Sequence, residues 1–113
     1  MNEIVMSADG IASAIVGAAA GAGGKVWPKI RKASRIYAQG YAQALIDTAE
    51  AVASGDMTEE EGKNSARAAS FFYYMMIAQA TQVTLVAIQQ FFDTVIALVK
   101  GQINAALPFP LLA

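Results

Sequence analysis

Few residues in this chain are suited to catalytic chemistry, because it contains neither cysteine nor histidine. Thiolate nucleophiles, disulfides and imidazole acid–base catalysis are therefore excluded, and zinc and most transition metals lose their usual ligands. Neither a phosphate-binding loop with Walker spacing nor a nucleophile elbow is present. The adjacent acids Glu59, Glu60 and Glu61 are explained more simply by a solvated helix start than by a metal site. We therefore expect a protein that is not an enzyme and binds no cofactor or metal.

The most charged part of the chain is a basic segment spanning residues 25–35. It carries five cations within eleven residues, and no acid lies between Asp9 and Asp47. The five cations are Lys25, Lys29, Arg31, Lys32 and Arg35. Such a segment predicts contact with the phosphates of nucleic acid or of lipid headgroups, and the alternative is a solvated helix start. The net charge of −1 gives the whole chain no general attraction to polyanions.

Trp27 lies between an apolar stretch and the cations of the basic segment. Tryptophan in this position is typical of an anchor at a membrane interface, and this is one of the two roles that the sequence predicts for it. The alternative is a buried tryptophan at the junction of two helices.

The composition indicates that part of the protein surface is covered. Hydrophobic residues make up 56% of the 113 residues and charged residues only 15%, compared with about 25% charged in an average domain. A domain of this size has much surface to cover with polar groups, so we expect lipid, further copies of the chain or a larger assembly to cover the rest. The length predicts one domain over 1–113. The first residues lack a basic stretch, which predicts no cleavable secretory signal.

The first half of the chain predicts two helices. A segment rich in glycine and alanine, 4–24, forms the first, and the glycines at its end terminate it. Its small residues recur every four positions, as in close contacts between helices, although a flexible Gly/Ala arm has the same composition. Pro28 then starts an amphipathic helix over 28–54.

The clearest boundary in the sequence is the turn at 54–56. Thr58 follows with Glu61 three residues later, which is the pattern of a capping box, and helices joined by so short a turn pack as an antiparallel hairpin. Because no proline interrupts 58–106, this stretch predicts one very long helix of roughly 70 Å. The apolar tail at 107–113 contains two prolines and is expected to dock on the helices.

On a helical wheel, the second half of this long helix has one polar stripe within an arc of roughly 100°. The polar stripe consists of Gln79, Gln82, Gln89, Gln90, Asp93, Lys100 and Asn104. A narrow stripe on an otherwise apolar helix predicts either the lining of a water-filled lumen or subunit seam, or the one exposed edge of a bundle. The residues expected to pack in subunit contacts or in a core are Phe71, Phe72, Met75, Met76, Phe91 and Phe92.

These features together predict an all-α fold in an oligomeric helical assembly: a helical hairpin with one very long C-terminal helix and a Gly/Ala-rich N-terminal helix. The layout is similar to that of small virion or secretion-machine components, which form helical barrels or insert into membranes. The resemblance covers the whole chain but is carried by no signature residue.

That layout implies a self-assembling structural protein, membrane-associated or enclosed in a larger particle. A phage virion is such a setting, with the protein as a channel, a DNA-delivery element or an internal-membrane element. The expected partners are copies of the chain, a lipid membrane and other assembly proteins. The alternative is a soluble helical hairpin that binds one protein partner.

Overall fold

The computed structural model describes residues 7–112, and in this range the chain forms four α-helices. Helix α1 spans Ala8–Ala22, α2 spans Trp27–Ala53, α3 spans Glu59–Thr81 and α4 spans Leu85–Ala106. The predicted all-helical class is therefore confirmed. Residues 4–6 of the predicted first helix and residue 113 of the tail lie outside the described residues.

Side-chain caps start three of the four helices. Ser7 caps α1 and Thr84 caps α4, each accepting a hydrogen bond from a backbone N–H three residues later, at 3.1 and 3.2 Å. At α3, the Thr58 hydroxyl accepts from the Glu61 N–H at 3.1 Å, and the Glu61 carboxylate accepts from the Thr58 N–H at 3.0 Å. The predicted capping box is therefore confirmed. Helix α2 begins instead with Pro28 in its first turn. Backbone N–H groups of a first turn have no acceptor within the helix, so proline loses no hydrogen bond there.

The prediction of one continuous helix over 58–106 is wrong, because the chain reverses direction between α3 and α4. Gln82 adopts the left-handed conformation, with φ 59° and ψ 16°, and ends α3. The Thr81 hydroxyl donates back to the Ile77 carbonyl at 2.7 Å, and Thr84 starts the next helix. A straight helix would leave the apolar face of its second half in water, whereas the reversal packs that face against α1 and α3.

The four helices form a closed ring in which each helix packs against two others. Helix α2 packs against α1 and α3, and α4 packs against the same two helices. Connections of three to five residues join successive helices, and connections this short make neighbouring helices antiparallel. The bundle measures 41 × 22 × 20 Å, so its long axis matches the length of α2 at roughly 1.5 Å per residue.

One hydrophobic core runs along the axis of this bundle. The face of α4 that meets it carries buried residues at helical spacing: Ile88, Phe92, Val95, Val99 and Ile103. Opposite them, α1 contributes Ile11, Ile15 and Ala19. Because these rows are three or four residues apart, each helix turns one apolar face inward and keeps its polar residues outside.

The tail after α4 packs back onto the bundle, as its apolar composition predicts. Leu107 and Leu111 are buried. The Asn104 side chain holds the tail in both directions: its Nδ2 donates to the Leu112 carbonyl at 2.7 Å, and its Oδ1 accepts from the Leu112 N–H at 2.9 Å. Asn104 therefore satisfies backbone groups of the tail, which is a different role from the one predicted for it in the polar stripe.

We expect Gln82→Gly to stabilise the protein by about 0.5–1 kcal/mol, because a side chain in the left-handed conformation carries a steric cost that glycine avoids. Gln82→Val puts a branched Cβ in the same conformation and is expected to destabilise the fold. Chemical denaturation followed by circular dichroism measures both free energies of unfolding. Equal losses in the two variants would show that the reversal does not depend on this conformation.

Gly62 lies where α3 touches both α2 and the tail. A Cβ at this position would overlap Val52 Cγ2 and would lie 3.5 Å from Leu111 Cδ2. Since the χ1 angle of valine is stiff in a helix, we expect Gly62→Ala to destabilise the fold by about 1–2 kcal/mol.

Gly101→Ala is the matched control for this substitution. Gly101 is an exposed helical glycine with open space where its Cβ would lie, so alanine is expected to stabilise the fold by about 0.5–1 kcal/mol. Thermal unfolding temperatures that move in the same direction for both variants would contradict the close contact assigned to Gly62.

Candidate interaction surface

Three hydrogen bonds between hydroxyl groups join α2 to α3. This hydroxyl ladder comprises the pairs Ser34–Tyr73 at 2.7 Å, Tyr41–Ser70 at 2.6 Å and Thr48–Ser65 at 3.3 Å. Its members on α2 recur every seven residues, which keeps them on one face of the helix. Their partners on α3 follow in the reverse order, so the ladder fixes the two helices antiparallel and in register.

The pair Ser34–Tyr73 is the buried end of the hydroxyl ladder. Ser34 is fully buried and Tyr73 is 1% exposed. The Tyr73 hydroxyl also bonds to the Ser34 carbonyl oxygen, at 3.2 Å. Leaving a buried hydroxyl without a partner costs about 1–3 kcal/mol, so the Ser34 hydroxyl depends on Tyr73, whereas the Tyr73 hydroxyl has the Ser34 carbonyl as a second acceptor.

An aromatic row crosses the bundle from α2 through α3 to α4 and returns to the start of α2. Its members are Tyr41, Tyr73, Tyr74, Phe92, Phe91 and Trp27. Tyr41 and Tyr73 stack with ring centroids 5.0 Å apart, and Phe92 meets Tyr73 edge-on at 5.2 Å. Ring pairs of this kind contribute about 0.5–1.5 kcal/mol each beyond the area they bury. The row therefore connects the hydroxyl ladder to α4.

Burial raises the pKa of three tyrosines in this row. Desolvation is the main cause for Tyr41, Tyr73 and Tyr74, because an ionised phenolate would lose its water inside the bundle. The hydrogen bonds with Ser70 and Ser34 lower the pKa of Tyr41 and Tyr73 in part. All three hydroxyls are therefore neutral hydrogen-bonding groups at neutral pH.

An apolar groove of about 630 Å³ lies between α2 and α3 on the outside of the bundle. Five of the residues that line this α2/α3 groove are small: Gly40, Ala44, Ser65, Ala68 and Ala69. Larger side chains flank them, among them Ile36 and Phe72, which are 69% and 63% exposed. Within the described bundle this groove is an open apolar surface, and it is the candidate interaction site.

The charges near this groove are separated along the long axis of the bundle. All five cations of the basic segment are exposed and lie at the end where α2 begins. At the opposite end, where α2 ends and α3 begins, exposed acids gather: Asp47, Glu50, Asp56, Glu59, Glu60 and Glu61. Lys63 and Arg67 also lie near this end, but they line a small groove beside the tail. The α2/α3 groove therefore runs from a basic end to an acidic end.

The polar stripe is divided between two helices, because the chain reverses at Gln82. Its exposed members are Gln79 and Gln82 at the end of α3 and Gln89, Gln90, Asp93 and Lys100 on α4. Three of them line a second groove of about 550 Å³ between α3 and α4, namely Gln89, Asp93 and Lys100. One stripe along one helix, on which the lumen interpretation depended, is thus not formed. The placement corresponds to the alternative, an exposed edge of a bundle.

Trp27 lies in the core instead of at an exposed interface. Its exposed fraction is 8%, and its ring stacks on Phe91 with centroids 6.1 Å apart. A ring enclosed between α2 and α4 is not presented to lipid headgroups. The structure therefore favours the alternative of a buried tryptophan at a helix junction.

The residues predicted to make subunit contacts divide between the core and the surface. Phe92 is fully buried and Phe91 packs against the core, so both stabilise the bundle itself, whereas Met75 and Met76 are half-buried and Met76 lines the α2/α3 groove. The two neighbouring phenylalanines of α3 are exposed, with exposed fractions of 46% for Phe71 and 63% for Phe72. Of the predicted set, only these two side chains are exposed, and only Phe72 by more than half.

Of the acidic cluster at the start of α3, Glu61 forms part of the helix cap, and Glu59 and Glu60 are exposed in its first turn. The hydrogen bond from the Thr58 backbone N–H lowers the pKa of Glu61 below its ordinary value. Among residues 7–112, no group of three or more acidic, histidine or cysteine side chains is arranged to hold a metal ion.

No family model, curated protein or solved structure matches this chain. In the part of the chain that the structure describes, no helix is both long enough and apolar enough to cross a membrane.

Of the residues that line the α2/α3 groove, sequence reasoning singled out only Phe72 and Met76 and missed the others, Ile36 and Gly40 among them. The available signal was the position of Ile36 among the cations on the polar side of α2. An isoleucine that shares one helix face with exposed charges points away from the core. Its position indicates a contact with something outside the bundle.

Raising the pH above 10 is expected to destabilise the bundle through its buried tyrosines. Below pH 10, the ordinary tyrosine pKa, both the folded and the unfolded chain hold these protons. Above it the unfolded chain releases them while the folded chain retains them, so the free energy of unfolding falls by up to about 1.4 kcal/mol per pH unit for each buried tyrosine. Urea denaturation between pH 8 and pH 11 measures this slope.

Tyr73→Phe and Ser34→Ala separate this titration from the hydrogen bond. Both variants remove the Ser34–Tyr73 bond and are expected to lose about 1–2 kcal/mol at pH 8. Only Tyr73→Phe also removes a titrating group, so it alone should flatten the slope above pH 10. Identical slopes in the two variants would rule out Tyr73 as a source of the pH dependence.

Proposed function

We propose that this protein is a non-enzymatic, self-assembling structural protein that works by burying its α2/α3 groove against another helical surface. The observation that carries this proposal is the exposed pair Ile36 and Phe72 beside an apolar groove of about 630 Å³. Single exposed apolar residues are common on proteins, but a continuous apolar groove with large side chains at its edge is typical of a contact site.

The lining of the groove suits a helix of a protein chain. Gly40, Ala44 and Ala68 are small enough for a second helix to approach closely, and Phe72 and Met76 add area that such a helix would bury. The hydroxyls of Tyr41 and Tyr73, which also line the groove, already have partners in the hydroxyl ladder. An apolar partner face therefore fits this groove better than a small polar molecule does.

The setting we propose for this assembly is a larger particle such as a phage virion. That expectation comes from the layout of the sequence, with its shortage of charges to cover the surface. Phosphate contact through the basic segment, with nucleic acid or lipid headgroups, is part of the same proposal. All five of its cations are exposed, as such contact requires.

A module that binds one different protein is the alternative function. It uses the same groove, but it predicts a defined complex with that partner and no self-association of the purified chain. The concentration dependence of the mass in solution therefore distinguishes the two functions.

Introducing a cation into the groove is expected to weaken self-association. Ile36→Lys and Phe72→Lys each place a charge where the partner helix would lie, and each is expected to raise the dissociation constant roughly tenfold to a hundredfold. The side chains are mostly exposed in the bundle, so the melting temperature should change little. Sedimentation velocity over a concentration series measures the association, and circular dichroism measures the fold.

Val86→Lys and Leu98→Lys are the matched controls. Both residues lie on α4, outside the α2/α3 groove, and their exposed fractions of 63% and 66% are close to those of Phe72 and Ile36. The same charge at these positions is expected to leave association unchanged. If the α4 variants weakened association as much as the groove variants, the contact site would have to be placed elsewhere.

A further inference from the structure

One face of α2 carries charges of opposite sign at equal distances from its middle. Projected at 100° per residue, seven exposed residues fall within an arc of roughly 80°. We call this arc the outer face of α2. In chain order it consists of Lys29, Lys32, Ile36, Gly40, Gln43, Asp47 and Glu50.

If α2 is turned end for end, the cations of its outer face take the positions of the acids, and the acids take those of the cations. The midpoint lies beside Gly40, with Lys29 as far before it as Glu50 is after it, and Lys32 as far before it as Asp47 is after it. At 1.5 Å per residue, the charges lie roughly 11 and 16 Å from the midpoint on each side. The face is therefore complementary to a second copy of itself placed in the opposite direction.

We infer that a second copy of this chain docks on the outer face of α2 and the adjoining α2/α3 groove. The two α2 helices run antiparallel about a two-fold axis beside Gly40. Lys29 then faces Glu50 of the second copy and Lys32 faces its Asp47, and the two-fold axis repeats both pairs. A parallel arrangement would instead place cation against cation. This inference rests on the proposed function, because it specifies the orientation and register of the self-assembly.

The middle of the outer face supplies the apolar contact that such a dimer needs. Gly40 has no neighbouring atom within 4 Å of the place where a Cβ would lie, so the two backbones can approach each other there. Ile36 lies one turn away on the same face. Phe72 is level with this stretch of α2, because the next residue, Tyr73, bonds to Ser34. An apolar centre with charges at its rim is the usual anatomy of a specific interface.

The charges on this face oppose the stability of α2 as a single helix. Its first turn holds no acid and its last turn holds no base, whereas the helix macrodipole favours acids at the start and bases at the end. The cations Lys29 and Lys32 lie towards the start, and the acids Asp47 and Glu50 lie towards the end. Attraction to a reversed copy accounts for this order, since charge pairs across an interface set its orientation.

Two charge-reversed variants of the full chain test the pairing. Lys29→Glu with Lys32→Glu makes the outer face acidic throughout, and Asp47→Lys with Glu50→Lys makes it basic throughout. Both changes suit the helix macrodipole, so both chains are expected to fold. In sedimentation velocity at low ionic strength, each alone should self-associate roughly a hundredfold more weakly than the original chain. An equimolar mixture should recover dimers that contain one chain of each kind.

Arg31→Glu with Arg35→Glu is the matched control, because it reverses two cations of α2 that lie outside the outer face. This variant is expected to dimerise like the original chain. A mixture that recovers no dimers, or a control that weakens as much as the Lys29 and Lys32 variant, would overturn the antiparallel pairing and leave self-assembly through the groove in place.

Two further outcomes of these experiments would decide whether the chain self-assembles at all and what its cations bind. An original chain that stays monomeric at high concentration would overturn both the pairing and the proposed self-assembly. A monomeric chain that binds anionic phospholipid vesicles, and loses that binding in both cation-reversed variants, would assign the cations to a phosphate surface and overturn the pairing.

Discussion

Ser34 and Tyr73 bury their hydroxyls against each other in a largely apolar core, and the packing of α2, α3 and α4 is arranged around that bond. The bond has few geometric alternatives, because a slip of one residue along either helix would leave both hydroxyls without a partner. It therefore fixes the register of α2 against α3. Tyr73, held in this way, stacks on Tyr41 and meets Phe92 edge-on, so the same bond also determines where α4 packs.

The hairpin of α2 and α3 has a distribution of side chains that a simple amphipathic pattern does not produce. Its inner side carries the hydroxyl ladder, whereas its outer side exposes Ile36 and Phe72. Hydroxyl bonds give a core defined geometry while adding little net stability. Apolar groups on the outside give area that only another molecule can bury. The inner side thus specifies the fold of the hairpin, and the outer side leaves apolar area exposed.

Local signals predicted the end of α2 and the start of α3 well, but they missed the end of α3 and the start of α4. Thr58 and Glu61 bond each other within one turn, so four residues of sequence contain the whole interaction. Gln82 carries no comparable signal, because a glutamine has no special preference for the left-handed conformation. The chain reverses here because the apolar face of α4 gains free energy when it is buried against α1 and α3. That gain depends on residues far away in the sequence.

Trp27 and Ile36 show the same limit for the candidate site. Both lie in or beside the basic segment, and their types alone left Trp27 open between an interface anchor and a buried position and gave Ile36 no role. The structure places Trp27 against Phe91 and leaves Ile36 in solvent. The charge order of α2, by contrast, needs no tertiary contact to be recognised. It could have been found from the sequence by comparing the helix with its own reverse.

The reversal at Gln82 also makes the bundle open to exchange of α4 between molecules. Only the three residues 82–84 separate α3 from α4, and a chain that straightened there would carry α4 away from its own core. The vacated space between α1 and α3 has the shape of α4, so the α4 of another straightened chain would fill it with the same contacts. This is domain swapping, in which a short connection between two packed helices acts as the hinge. Because the core contacts are the same in either form, α4 stays in its own molecule through the entropy that two chains would lose on associating, whereas the steric cost of the left-handed Gln82 favours the straightened form.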